Sequence, residues 1–339
     1  MFQNTKELQQ FMTEPSEQLI QDVKKLQGDL LILGAGGKIG TTMAIKAQRA
    51  VEAAGTGAKV YAASLFDYSD SAQAMADAGV TVIECDFSDP EQLRALPDAA
   101  NIIYMVGRKF GTTDSQSLTW HVNVILPYLV AQRFPNSHIV AFSTGNTYGM
   151  APLASGGFNE ADEPAPIGEY AQTCLGRERV LTHCSVQNNT PMLLFRLNYS
   201  IDLRYGVLYD LGNAIMNGQP IDVSQSVFNC VWQGEVCEYA IRSLLHTAVP
   251  PMPLNVSSPE AISIRWAAKE MGKRLGKEPI FTGEELDHSL FLNCQKMVEL
   301  MGRPKLGVLE MMDMVADWIK MGGDSIHAPT HFETTDGKF

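Results

Sequence analysis

Short apolar runs alternate with amphipathic stretches through the first two thirds of the chain. The runs fall at residues 30–33, 59–63, 80–84, 101–106, 138–142 and 192–197. Each is too short for a helix and mostly apolar, the texture of a strand covered on both faces. Between them, apolar residues at helical spacing predict helices around 43–51, 71–78, 117–133 and 170–186. Six such strands before residue 200 predict an α/β fold built on a doubly wound parallel sheet. Further amphipathic helices are expected near 235–246, 262–275 and 308–321. The main sheet domain is assigned to 29–200, with 228–258 returning to it. A smaller, mostly C-terminal α/β region takes 201–227 and 259–339. Residues 1–28 read as a helical extension. Within it, Leu19, Val23 and Leu26 share one face of a helix over 15–26, with Thr13 as its cap.

Between the first run and the first helix lies Gly34-Ala-Gly-Gly37-Lys38-Ile39-Gly40. In that context a glycine-rich turn lets the chain bend sharply and lets backbone approach a pyrophosphate at a helix N-terminus. The sheet is therefore read as a Rossmann-type dinucleotide-binding domain. An NAD site usually has an acidic residue at the end of the second strand, to bind ribose. Here that position is Ser64, and Lys38 is positioned to attract a 2′-phosphate. These residues lean toward NADP and keep NAD open, since no arginine follows Ser64 and Asp67 is close by.

Composition narrows the partners. With 38 acidic against 26 basic residues the formal charge is −12, which argues against nucleic acid or an anionic membrane as main partner. A small anionic ligand stays open, because a pocket can be basic on an acidic protein. The six cysteines form no C-x-x-C pair, and the seven histidines are scattered, so no metal is expected. Free thiols point to a reducing cytoplasm. The N-terminus carries Glu7, Glu14, Glu17 and Asp22 where a signal peptide would be apolar, and no run of 18 apolar residues occurs.

Several segments, in order, resemble the extended short-chain dehydrogenase/reductase family, also called the NAD-dependent epimerase/dehydratase family. Gly34-x-x-Gly37-x-x-Gly40 is similar to its loop, and Cys85-Asp86-Phe87 to its adenine-contacting segment. Val106-Gly107-Arg108-Lys109 and Val122-Asn123-Val124 fall where the family lines the cofactor. Phe142-Ser143-Thr144-Gly-Asn146-Thr-Tyr148-Gly149 resembles its Ser/Thr-rich strand end with Val-Tyr-Gly, and Arg196-Leu-Asn198 its substrate-facing strand end. Val231-Trp-Gln-Gly-Glu235 resembles the stretch opening the next helix. The likeness runs over about 29–320.

The resemblance implies an NAD or NADP enzyme that passes hydride at a carbinol or keto carbon of a sugar, sugar acid or nucleotide-linked sugar. It implies Tyr170 as acid/base and Thr144 as the hydroxyl orienting the substrate oxygen, with Ser143 as alternative and Tyr148 as structural. Asn146, Asn198 and Arg204, with Tyr205, would face substrate, bordered by the loop 150–168; a homodimer stays open. Two departures matter. Family dehydratases carry an acid pair after the Thr, but here Gly145 and Asn146 follow, which disfavours a 4,6-dehydratase. The family's Tyr-x-x-x-Lys reads Tyr170-Ala-Gln-Thr-Cys174, and no lysine occurs between Lys109 and Lys269. Arg177 shares the helical face but lies about 10 Å along the axis. Three readings follow: turnover assisted by the cofactor's own charge, a direct role for Cys174, or an NAD(P)-binding sensor or scaffold without turnover.

Overall fold

The computed structural model describes residues 2–66 and 69–338, so Asp67 lies outside the described residues. Among these the main sheet has seven strands: β1 (Leu30–Leu33), β2 (Val60–Ser64), β3 (Thr81–Glu84), β4 (Asn101–Tyr104), β5 (His138–Thr144), β6 (Met192–Leu197) and β7 (Met252–Val256). All pair in parallel, in the spatial order β3-β2-β1-β4-β5-β6-β7. The direction of winding reverses between β1 and β4, which opens a crevice above their C-terminal ends. The first six strands are the six apolar runs. The seventh comes from beyond residue 200 and pairs with β6 from Met252↔Leu193 to Val256↔Leu197.

The apolar runs are unbroken because both faces are covered. Leu30 and Ile32 pack with Met43, Ala47 and Val51 of the helix Gly40–Ala54 on one side. Leu31 and Leu33 pack with Ile102, Val130 and Leu181 on the other. A separate cluster holds the C-terminal region together, with Leu211, Met271, Val315 and Trp318, and Leu8 and Met12 of the N-terminal segment join it. All six cysteines are buried and unbridged. No described helix is long and apolar enough to cross a membrane.

Two helices differ from the sequence expectation for physical reasons. The N-terminal segment forms Thr5–Thr13 and Glu17–Val23 rather than one helix over 15–26. Pro15 interrupts the ladder, and Ser16 caps the second helix by accepting the Leu19 N–H at 3.1 Å. Thr13 instead ends the first helix and donates to the Gln9 carbonyl at 2.7 Å. Leu19 and Val23 are buried as expected.

The segment 117–133 is also not one α-helix. Gln116–Trp120 and Leu126–Arg133 are joined by a π turn at His121–Ile125. Pro127 has no N–H to give the Asn123 carbonyl four residues back. Arg177 Nε takes that carbonyl instead, at 3.2 Å.

Beneath the crevice lies a buried polar network. Arg196 on β6 makes a forked pair with Glu178 on the helix Gly168–Asn188, Nε–Oε1 2.9 Å and Nη2–Oε2 2.6 Å. Ser143 donates to the same Glu178 at 2.6 Å, and Arg196 also contacts the Tyr148 hydroxyl. Tyr148 in turn donates to Asn255 on β7 at 3.0 Å. Burial opposes the charge on Arg196, but Glu178 and Tyr148 more than offset it and hold its pKa above the usual arginine value. Glu178→Gln leaves that guanidinium without a counter-charge. We expect it to cost about 3–5 kcal/mol in urea unfolding, whereas removal of an exposed pair such as Arg94–Glu91 should cost under about 1 kcal/mol.

Candidate active site

The crevice begins at the glycine loop. Gly34 adopts φ +88°, and a Cβ there would stand 2.9 Å from the Val106 nitrogen, so the loops after β1 and β4 touch through bare backbone. At Gly40 a Cβ would meet the Ala35 carbonyl oxygen at 2.3 Å, which seats the helix start directly on the strand end. Gly36 lies against Ser64, whose Oγ would be 2.8 Å from an added Cβ. Gly37 is exposed, its nearest neighbour for a Cβ being the Gly34 carbonyl at 3.5 Å. No side chain caps the helix that follows, so its first N–H groups face the crevice. A groove of about 1050 Å³ runs along Gly36 and Gly37 toward Asp70 and Ser71, with Arg204 on its border.

At the end of β5 a second cavity, about 270 Å³, gathers Lys38, Ile39, Gly107, Lys109, Ser143, Thr144, Asn146, Tyr170 and Asn198. The Tyr170 hydroxyl is within hydrogen-bonding reach of Thr144 and of the Cys174 thiol. Thr144 Oγ1 also accepts the Asn146 N–H at 3.2 Å and Nδ2 at 3.1 Å. Ser143 gives its proton to Glu178. Asn198 donates to Asn229 at 2.8 Å.

This constellation, a glycine loop at the switch point and a Thr–Tyr pair at the end of β5, matches a known pattern over half the chain. The sequence profile of the NAD dependent epimerase/dehydratase family matches residues 30–199. The chain belongs to that family.

Solved structures agree in fold. The NAD complex of UDP-glucose 4-epimerase from Thermus thermophilus superposes with a TM-score of 0.71 at 18% identity, covering 86% of this chain and 99% of that one. The NAD complex of dTDP-glucose 4,6-dehydratase from Bacillus anthracis gives 0.73 at 15% identity, covering 87% and 97%. The NAD complex of UDP-glucuronic acid 4-epimerase from Bacillus cereus gives 0.70 at 15%, covering 86% and 96%. No curated protein matches the chain at a significant level.

Within the family frame, the remaining residues sort by what they touch. Asn123 is fully buried and makes no opening to the cavity. Its amide donates to the Arg108 carbonyl and Thr173 Oγ1, both at 2.9 Å, and its Oδ1 accepts from the Arg108 N–H and Arg177 Nη2, both at 2.8 Å. Asp86 accepts the Ser88 N–H at 2.8 Å, Phe87 packs in the core with Leu93, and both lie outside the two cavities. Arg204 is held by Asp202 through Nε at 3.0 Å and Nη2 at 2.6 Å. Cys174 is buried one turn from Tyr170, and burial pushes its thiol pKa up.

The site's positive charge comes from other elements. Arg177 reaches back along its helix and donates through Nη1 to the Phe142 carbonyl at 2.8 Å. Its Nη2 would stand 2.9 Å from a Cβ on Gly107, so a side chain there would push the guanidinium aside. Burial, followed by Cys174, drives the Tyr170 pKa well above the usual phenol value, while Arg177 and the Thr144 hydrogen bond oppose it less strongly. Lys38 turns away from Ser64 and sets its amine 3.3 Å over the Tyr205 ring. Burial lowers its pKa to about 7. Lys109 donates to the Thr330 carbonyl at 3.0 Å, and burial lowers its pKa to about 8.

Arg108, from the segment expected to line the cofactor, also lines the cavity, as do Tyr199, Ser200 and Thr330, which were not singled out from sequence. Ser200 Oγ and Arg108 Nε are buried without a hydrogen-bond partner among the described residues. Ser200 sits two positions after Asn198, a usable signal; nothing local marks Thr330.

Gly37→Ala tests the crevice directly. A Cβ there has room in the protein, so urea stability should change by under about 1 kcal/mol, yet NAD affinity measured by fluorescence quenching should fall at least about tenfold. Gly40→Ala, with its backbone collision, should lose stability as well.

Proposed function

We propose that the chain is an NAD(P)-dependent oxidoreductase or epimerase acting at a carbinol or keto carbon of a sugar, sugar acid or nucleotide-linked sugar. The observation that carries this reading is the Tyr170–Thr144 hydroxyl pair in a cavity at the head of the glycine-loop crevice. The crevice fits a dinucleotide: bare backbone at Gly36 and Gly37, an uncapped helix start, and an unpartnered, buried Ser200 hydroxyl in the cavity wall. When bound, the nicotinamide supplies the hydride acceptor or donor.

The chain's own residues handle the proton. Thr144 holds the substrate oxygen, and Tyr170 takes the hydroxyl proton as hydride leaves the adjacent carbon, or returns it in reduction. A phenol with its pKa raised by burial is a poor base, so positive charge is needed close by. Cys174 cannot supply it, because a thiol is neutral and a thiolate negative. Arg177 is the cation that acts on Tyr170, and both Arg177 and Lys109 act on Cys174 beside it. Arg177 takes over the electrostatic part of the absent helix lysine. The NADP lean now rests on Ser64 alone, since Lys38 faces Tyr205 instead.

The geometry also favours simple redox or epimerisation over 4,6-dehydration. A Cβ at Gly145 would stand 3.1 Å from the Leu292 side chain, so an acid there would require Leu292 to shift, and Asn146 is bonded to Thr144. The sensor reading keeps one supporting observation, the neutral thiol at position 174.

Tyr170→Phe separates the two. It should lower substrate-dependent change in NAD(P)H absorbance about 10²- to 10⁴-fold with little change in cofactor affinity. Cofactor binding with no absorbance change across a panel of sugars and sugar acids would favour the sensor. Cys174→Lys should raise the rate and move the ascending limb of the pH–rate profile for sugar oxidation to lower pH, because a nearby ammonium lowers the phenol pKa.

A further inference from the structure

The cavity beside Tyr170 carries more positive charge than proton transfer requires, and it ends sooner than a nucleotide-linked sugar would need. Lys38 has only the Tyr205 ring as a close partner among the described residues. The two carboxylates in its field are committed elsewhere. Asp202 holds Arg204 at 2.6 Å, and Asp210 accepts the Thr330 N–H at 2.9 Å and hydroxyl at 2.5 Å. Lys109 lines the same space and feels the same Asp210. Two desolvated amines therefore share about 270 Å³ with the unpartnered donors Ser200 Oγ and Arg108 Nε. Both amines are easier to deprotonate than an exposed lysine, so an anion placed between them would be met by restored charge.

The C-terminal tail sets the boundary. Ile326 donates to the Arg204 carbonyl at 3.2 Å, and Thr330 bridges Lys109 and Asp210. Gly337 then abuts Gly168, at the start of the helix that carries Tyr170; its carbonyl oxygen would be 2.2 Å from a Gly168 Cβ. Beyond Thr330 the next cavity, about 290 Å³, is lined by Asp210, Asp222 and Glu333 and by neither lysine nor arginine. A diphosphate would find three carboxylates there and no donor cation.

Resting on the hydride-transfer reading, we infer that the substrate is a free, monosaccharide-sized hydroxylated anion whose carboxylate or phosphate is received by Lys38 and Lys109, and not a nucleotide-linked sugar. Calorimetry on the NAD-loaded protein tests this with four probes: glucuronate, glucose 6-phosphate, glucose and UDP-glucose. One or both small anions should bind at least about tenfold more tightly than glucose or UDP-glucose, and which of the two does so assigns carboxylate or phosphate. Glucuronate affinity should be constant between about pH 5 and 7 and fall by up to tenfold per unit above it as Lys38 loses its proton, while glucose 6-phosphate also weakens below about pH 6 as its phosphate gains a proton. Lys38→Met should remove about 10- to 100-fold of the anion affinity, and Lys38→Arg should retain most of it and abolish the fall near neutrality.

The inference is overturned if no small anion binds, if UDP-glucose binds as tightly, or if Lys38→Met, folded by circular dichroism, leaves anion affinity unchanged. Tyr170→Phe keeps the two proposals apart. Tyr170-dependent hydride transfer on a UDP-sugar would sink this inference and leave the reaction reading standing. Anion binding that depends on Lys38 with no hydride transfer would do the reverse.

Discussion

The site depends on one missing hydrogen bond. Pro127 cannot donate to the Asn123 carbonyl, and the helix widens into a π turn there. Arg177 takes the freed carbonyl and directs its other nitrogens to Asn123 Oδ1 and the Phe142 carbonyl. One guanidinium thereby joins the loop after β4, the end of β5 and the helix of Tyr170. The Thr144 and Tyr170 hydroxyls are consequently positioned by three elements at once, and the charge that fixes them also makes Tyr170 easier to ionise. Position and electrostatics are supplied by the same side chain.

A second buried network runs below the first. Glu178, Arg196, Ser143, Tyr148 and Asn255 link the Tyr170 helix to β5, β6 and β7. Tyr148 and Ser143 belong to this layer, and so hold the floor of the cavity while Thr144 faces into it. The cavity region thus holds its cations in two tiers: Arg196, ion-paired with Glu178 in the floor, and Lys38 and Lys109 in the cavity wall. Pairing stabilises the first, and burial keeps the second responsive to an incoming anion.

The fold was legible because burial on both faces leaves an unbroken apolar run, and six of these appear in order. The seventh strand, Met252–Val256, hides in a segment of mixed texture because Pro253 and Asn255 interrupt its apolar pattern. The glycine loop, Thr144 and Tyr170 were legible as linear motifs with fixed spacing. The direction of Lys38 was not, since a four-carbon stem can turn either way and Tyr205 arrives from a distant element. Nor was the part played by Arg177, because its partner carbonyl is freed by a proline on another helix. Thr330 reaches the cavity only through the tail's long return path.

Every thiol in the chain is shielded: all six cysteines are buried, and Cys174 is packed beside the Tyr170 phenol. Alkylating or disulfide reagents can reach them only through local or global opening. The molecule therefore carries its own set of built-in reporters, spread over the sheet, the Tyr170 helix and the C-terminal region. The order in which they become reactive would map which part of the structure loosens first, and the reactivity of Cys174 would time the opening of the site itself.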